Sequence, residues 1–366
     1  MSVSSKSKYG LVSMKNKQLW INQIKGMCIC LVVIYHSVIT FYPHILPQLT
    51  GNATYLAKLW VYGNLYLAPF RMPVFFFISG FLITRYIDRV PWRGCINKRV
   101  WNIAWVLVLW GVIQWLLISH INQWIPGVEH NPASNAAYAE TLGQFTFSML
   151  TAGTSLWYLY ALVVYFIGCK LLHRYKNLVF PLLILVSVAI NFLPTPFWGM
   201  NSVIRNMPYY AMGAWFGSQL VEMMKQWQVM KRPLPLIAAL VVALALYFKN
   251  VNLPLSMLSI LLIMKCFFTM EQKFGSRPNS LFNVIGSNTI AIYTTHRILV
   301  EALSLVVIGM FSQHRLSSGV EMAILLCYPL LSLGVCTLLG LVMRRLSKIA
   351  TGDLLFTPPR GLVAER

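Results

Sequence analysis

What most constrains this chain is a succession of apolar runs, about ten in all, with basic residues gathered in the short segments between them. Several runs reach the ~20 residues that a helix needs to cross a bilayer. Hydrophobic residues make up 57% of the 366 and charged residues only 11%, less than half the roughly 25% of soluble domains. The runs predict an all-α integral membrane protein, a bundle of about ten transmembrane helices. No polar stretch is long enough for a separate soluble domain.

The net charge of +21 suggests a nucleic-acid binder until it is mapped. Predicted spans cover about 23–43, 66–84, 101–119, 155–172, 178–194, 207–221, 234–249 and 253–270, then a ninth from about 283 and a tenth over 319–343. With alternate segments inside, 22 of the 30 Lys and Arg fall on one side, including Lys6, Lys8, Lys15, Lys17, Lys231 and Arg232. That is the positive-inside pattern rather than a basic binding face, so both termini are predicted cytoplasmic and nucleic acid is not expected as a partner. A basic inner surface also attracts membrane lipid headgroups or a phosphate-rich substrate. The long segment 120–154 holds Glu129 and Glu140 and no Lys or Arg, which assigns it to the outside. Gly213 and Gly217 in the sixth span have the small-xxx-small spacing that lets helices approach closely. The chain divides into a cytoplasmic tail over 1–16, a transmembrane domain over 17–345 and a second tail over 346–366.

Seven cysteines lie mostly in or beside apolar runs, without metal-type spacing, and read as small buried residues. The start of the chain lacks the shape of a cleaved signal, so the first span is expected to stay.

Within that frame one stretch stands out. Lys25 and His36 are eleven residues apart in the first span. On a helix this is within roughly 20° of three full turns and about 16–17 Å of rise, so one face carries a cation at its inner end and an imidazole deep inside. An ionisable group inside a membrane helix is a functional candidate. Of seven histidines, only His36 and His296 map inside spans; His44, His120, His130 and His314 map outside and His173 inside the cell. Counted from Asn283, His296 has a depth of about 20 Å, close to that of His36. The two imidazoles are placed to face each other. Histidine suits proton transfer, because its unperturbed pKa is near 6.5. A two-histidine metal site lacks a third ligand, so no metal is expected.

Other polar groups carry two readings each. Arg297 and Glu301 have the spacing of a helical ion pair, although Glu301 is also placed to orient an imidazole. Arg71, between Pro69 and Pro73, is either an anion or oxyanion donor or a side chain that snorkels to the interface. Lys265 reads as a snorkelling lysine. Ser79-Gly80 interrupts an aromatic run, which suits close packing or leaves room for an acyl chain. No G-x-S-x-G, Walker A or H-E-x-x-H motif is present, and no nucleophilic serine lies near a histidine and aspartate.

Lys25 followed after ten residues by His36 resembles the N-terminal Arg/Lys-x10-His motif of the acyltransferase-3 family of membrane-bound acyltransferases. Met72-Pro73-Val74-Phe75-Phe76-Phe77-Ile78-Ser79-Gly80-Phe81 resembles that family's second span. Leu156-Trp157-Tyr158-Leu159 resembles its Leu-Trp-aromatic element. Arg205-Asn206-Met207-Pro208-Tyr209-Tyr210 with Gly213 resembles its Arg…Pro-aromatic-aromatic…Gly element, and Tyr293-Thr294-Thr295-His296 its late Tyr-x-x-His. Order and spacing hold from about 17 to 345, and the chain is similar to the family's inner-membrane proteins of enteric bacteria.

The resemblance implies ten helices in a bacterial inner membrane. It implies transfer of an acyl group, acetyl in the first instance, from cytoplasmic acyl-CoA (acetyl-CoA) to a hydroxyl of an extracytoplasmic glycan or lipid-linked envelope acceptor. No tightly bound cofactor is implied. It makes His36 the catalytic histidine; on that reading His36 is the base, and His296 and Arg71 are placed to assist. Lys25, Ser79, Gly80, Arg99 and Arg205 become substrate-binding candidates. Two departures stand out. Lys25 replaces the usual arginine, a point charge in place of a planar fork. The family's inner-loop Arg/Lys-x-x-Arg is half present, since Arg99 is followed three residues on by Asn102. Two rival classes are a proton-coupled transporter and a non-catalytic membrane partner protein. Intramembrane His, Arg and Glu suit the transporter, whereas no internal symmetry supports it.

Overall fold

The computed structural model describes residues 19–121, 139–227, 233–275, 277–313 and 316–359. The basic lead with Lys6 to Lys17, the loop residues Glu129 and His130, and Lys231, Arg232, His314 and Arg315 lie outside the described residues. Among the described residues every regular element is helical.

The chain begins with α1 (Leu19–Ile45), whose Pro43 falls in the last turn. The backbone N–H of Trp20 at its start donates to the Glu271 carboxylate at 3.2 Å, an anion at a positive helix end. Next come α2 (Gly51–Tyr66) and α3 (Ala68–Phe81), the latter entered through Pro69 at a position where a missing N–H costs nothing. A break at Leu82–Ile83 leads to the short α4 (Thr84–Asp88). Then α5 (Trp92–Ile96) runs through a π-helical turn at Asn97–Trp101 into α6 (Asn102–Ile121). After α7 (Leu142–Leu150) come α8 (Trp157–Leu171) and α9 (Lys176–Ala189), bent 70° against each other around His173–Tyr175. The remainder is α10 (Trp198–Gln226), α11 (Pro233–Tyr247), α12 (Leu253–Phe274), α13 (Leu281–Ser287), α14 (Thr289–Gln313) and α15 (Ser318–Thr351).

Each of the ten predicted runs falls on a helix, but the helices are not ten equal rods. Five are long and apolar enough to cross a membrane, or six if the bent α8–α9 pair is one span. α3 and α11 are apolar but short. α10 corrects the expected bounds of its run, 207–221. It has 29 residues and starts before Arg205 and Asn206. The expected bounds left Arg205 and Asn206 in the connection before the sixth run, yet they lie on a helical face turned toward a cavity. The ninth run is also corrected. Asn288 caps α13 and separates it from α14, so His296 lies two turns into its own helix rather than four turns from Asn283.

Two glycine crossings set the bundle's closest approaches. A Cβ added at Gly80 of α3 would overlap the Tyr210 carbonyl of α10, and one at Gly213 of α10 would overlap the Phe77 carbonyl of α3. Likewise Gly26 of α1 meets the Phe282 carbonyl of α13, and Gly286 meets that of Asn22. Close backbone contact replaces the hydrophobic drive that lipid does not supply. Around these crossings lies a continuous core, with a smaller cluster of Phe41, Tyr42, Ile45, Ala53, Ala57 and Leu325 at the far end of α1. Leu178, Leu182 and Leu185 of α9 and Ile237, Val241 and Val242 of α11 point outward, which suits a lipid-facing periphery.

Segments predicted on the inner side meet one another. His173 Nε2 lies 3.2 Å from Asp88, and Lys170 Nζ donates to the Tyr86 and Val90 carbonyls at 2.6 Å. Trp105 and Trp110 donate to the Leu354 and Leu355 carbonyls at 2.8 Å. Lys265 has a defined partner. Its Nζ caps the end of α10, donating to the Met224 and Lys225 carbonyls at 3.1 and 3.2 Å.

Candidate functional site: a histidine pair beside an arginine-lined cavity

Helical periodicity on α1 builds one wall of the site. Val32, Tyr35, His36 and Ile39 recur at i, i+3, i+4 and i+7 and line a cavity of about 620 Å³. Trp198, Ser202, Arg205, Asn206 and Tyr209 repeat the pattern on α10. Arg71 and its flanking residues come from the first turns of α3. Tyr293 and Arg297, four apart on α14, complete the inner wall. Ala68, Gly153, Trp198 and Asn252, at helix starts and in connections, form the rim. That rim is at the end of the bundle opposite Lys25.

His36 and His296 are brought together. Their ring centroids are 5.1 Å apart and the rings are tilted by 51°. His296 is fully buried and sits behind His36 rather than on the cavity wall. Its Nδ1 hydrogen-bonds to the Tyr293 carbonyl at 2.6 Å. A carbonyl only accepts, so this nitrogen carries the proton and Nε2 keeps its lone pair. His296 Nε2 and His36 Nδ1 are buried with no hydrogen-bond partner among the described residues.

Tyr293 is braced in turn. Its hydroxyl donates to the Ser155 carbonyl at 2.8 Å, and its ring packs edge-on against Tyr158 with centroids 5.5 Å apart. The Ser155 hydroxyl donates to Gln114 Oε1, while Gln114 Nε2 donates to the Thr294 carbonyl at 2.7 Å. Thus α6, the turn before α8 and α14 form one polar lattice beneath the histidines.

Arg71 is only 5% exposed, which removes the snorkelling reading. Its Nη1 donates to the Asn64 carbonyl at 2.8 Å, and its guanidinium lies 4.0 Å over the ring of Tyr35, the residue before His36. Arg297 forms the expected ion pair with Glu301 at 3.1 Å and donates to Thr40 Oγ1 at 2.6 Å, one turn beyond His36. Glu301 therefore serves Arg297, and the Tyr293 carbonyl orients the imidazole instead.

Other candidates lie elsewhere. Ser79 and Gly80 do not line the cavity. The Ser79 hydroxyl bonds the Phe75 carbonyl at 2.8 Å and Tyr158 Oη at 2.7 Å, and Gly80 is taken up by the crossing with α10. Their smallness serves packing. Lys25 is half-buried three turns before His36, outside the cavity. Arg99 sits in the π-helical turn, its guanidinium 4.2 Å over Tyr86. Among the described residues no three His, Cys, Asp or Glu side chains are grouped as metal ligands.

Tyr35, Asn206, Asn252 and Ser256 also line the cavity. Tyr35 carried a signal, as part of the i, i+3, i+4, i+7 face around His36, and Asn206 stands beside Arg205 in the Arg…Pro-aromatic-aromatic…Gly element. The others depend on which helices meet.

A family model described as an acyltransferase domain matches residues 18–341. The inner membrane protein YcfT of Escherichia coli (strain K12) is 57% identical over 347 residues, 94% of this chain and 97% of the relative. No solved structure gives a match.

Proposed function

The chain belongs to the acyltransferase-3 family of membrane proteins, and from that premise we propose that it is an O-acyltransferase of the bacterial inner membrane. Its ten helical runs cross the membrane with both termini in the cytoplasm. It moves an acetyl group from acetyl-CoA, supplied from the cytoplasm, to a hydroxyl of an envelope glycan or lipid-linked molecule arriving at the rim of the cavity.

The single observation that carries this reading is the histidine pair at the cavity wall, with one imidazole exposed to the cavity and the other locked behind it. His36 takes the proton of the acceptor hydroxyl as its oxygen attacks the thioester carbonyl. Arg71, held over Tyr35, donates to the oxygen that becomes negative in the tetrahedral intermediate. The intermediate collapses, the carbon–sulfur bond breaks, and CoA leaves as a thiolate that recovers the proton from His36. His296 holds the His36 ring in place. Lys25 and Arg99, near the basic inner surface, receive the phosphates of CoA.

The test uses the purified chain in liposomes with labelled acetyl-CoA and an envelope extract. The expected result is acyl turnover that His36→Ala abolishes. Turnover in His36→Ala equal to the parent overturns the mechanism. Solute flux without any acyl turnover replaces it with the transporter reading.

A further inference from the structure

Charge in the cavity narrows the acceptor. Three arginines line it and, among the described residues, no Asp or Glu does. Arg297 is neutralised by Glu301. Arg71 is engaged by Asn64 and the face of Tyr35. Arg205 is different. Its backbone carbonyl accepts from Ser187 at 2.7 Å, but among the described residues its guanidinium has no carboxylate or carbonyl partner and stacks on no ring; the phenol of Tyr209, one turn along the helix, lies within its electrostatic reach. Its Nε is buried without an acceptor. A buried N–H of a cationic group left without a partner is costly. The planar fork of arginine is matched by the paired oxygens of a phosphate or carboxylate.

We propose that the acceptor carries an anionic oxygen group beside its reacting hydroxyl, either a phosphate ester or a carboxylate, and that Arg205 receives it. The proposal rests on the acyl-transfer reading for the word acceptor, and on the cavity alone for the anion site. Arg205 stands on the same helical face as Trp198 at the rim and Tyr209 further in. An anion held there lies along the way from the rim to His36. Electrostatic attraction by an uncompensated guanidinium is strong in such a cavity, since low-dielectric walls shield it little.

The experiment has two arms. In liposomes with labelled acetyl-CoA, matched acceptors are compared: glycerol 1-phosphate with glycerol, and methyl glucuronide with methyl glucoside. The expected result is a KM lower for the charged member of one pair by about tenfold or more, the effect of one hydrogen bond to a charged group. Arg205→Gln raises that KM by about tenfold with little change in kcat and leaves the neutral member's KM in place. Arg205→Lys recovers part of the difference, as expected of a point charge. The better pair identifies the anion. Equal use of charged and neutral acceptors, or Arg205→Gln raising both KM values alike, overturns the proposal. The second arm needs no turnover. Equilibrium dialysis of the solubilised full chain with labelled inorganic phosphate or glucuronate should show saturable binding that Arg205→Gln weakens about tenfold. No saturable binding of either probe overturns the anion site. Binding without acyl turnover leaves the anion site standing and removes the transferase reading; turnover without charge preference does the reverse.

Discussion

The His296 ring lies 5.1 Å from the His36 ring, centroid to centroid, and its Nδ1 donates to the Tyr293 carbonyl at 2.6 Å. One imidazole meets the cavity and the other is buried behind it with a defined tautomer. This asymmetry divides their roles. On the proposed mechanism the group in contact with the cavity does the chemistry, and the group locked by Tyr293 positions it.

Replacing the two histidines should therefore give different losses. His36→Ala removes the base and is expected to lower kcat by about 10²- to 10⁴-fold, the usual contribution of a positioned acid–base group. His296→Ala leaves His36 present but unsupported, with a smaller drop in kcat. Single-turnover rates in liposomes measure both. A larger loss for His296→Ala than for His36→Ala reverses the assignment.

Arg71 is held by Asn64 and the face of Tyr35, so its planarity matters as much as its charge. Arg71→Lys keeps the charge but loses the fork and the stacking. It should lower kcat by about 10²-fold, the effect of losing an oxyanion donor, while KM for acetyl-CoA changes little. A change confined to KM would make Arg71 a binding residue only.

The Arg297–Glu301 pair is buried at 7% and 1% side-chain exposure. Glu301→Gln leaves the Arg297 charge without a counter-ion inside the bundle and should cost about 3–5 kcal/mol. The double substitution Arg297→Met, Glu301→Leu removes both charges and should recover most of that stability. Thermal unfolding in detergent, run as a double-mutant cycle, reads the coupling. Additive losses would show that the pair does not act as a unit.

Glycines at crossings and glycines elsewhere should behave oppositely. Gly80→Val forces a side chain into the Tyr210 backbone, and overpacking of this kind costs about 1–3 kcal/mol or more. Gly168→Ala meets open space on α8, where alanine is favoured over glycine by roughly 1 kcal/mol in a helix interior. Melting temperatures should fall for the first and hold or rise for the second.

Local pattern alone was enough to find the helices and the His36 face, because each depends on residues near in sequence. Apolar length marks a membrane helix, and a 3.6-residue period marks a face. The match in depth of His36 and His296 followed from counting residues, even though α13 and α14 turned out to be separate helices. Ser79 and Gly80 show where pattern stops. The order of residues places two small side chains in an aromatic run. That α10 fills the space they leave follows from how the helices meet. Arg205 shows the converse: a residue expected between two spans is part of a helix facing a cavity. Such outcomes depend on which helices meet across hundreds of residues. Close packing, cavity walls and the partnering of buried charge are settled by those meetings, and no stretch of sequence carries them on its own.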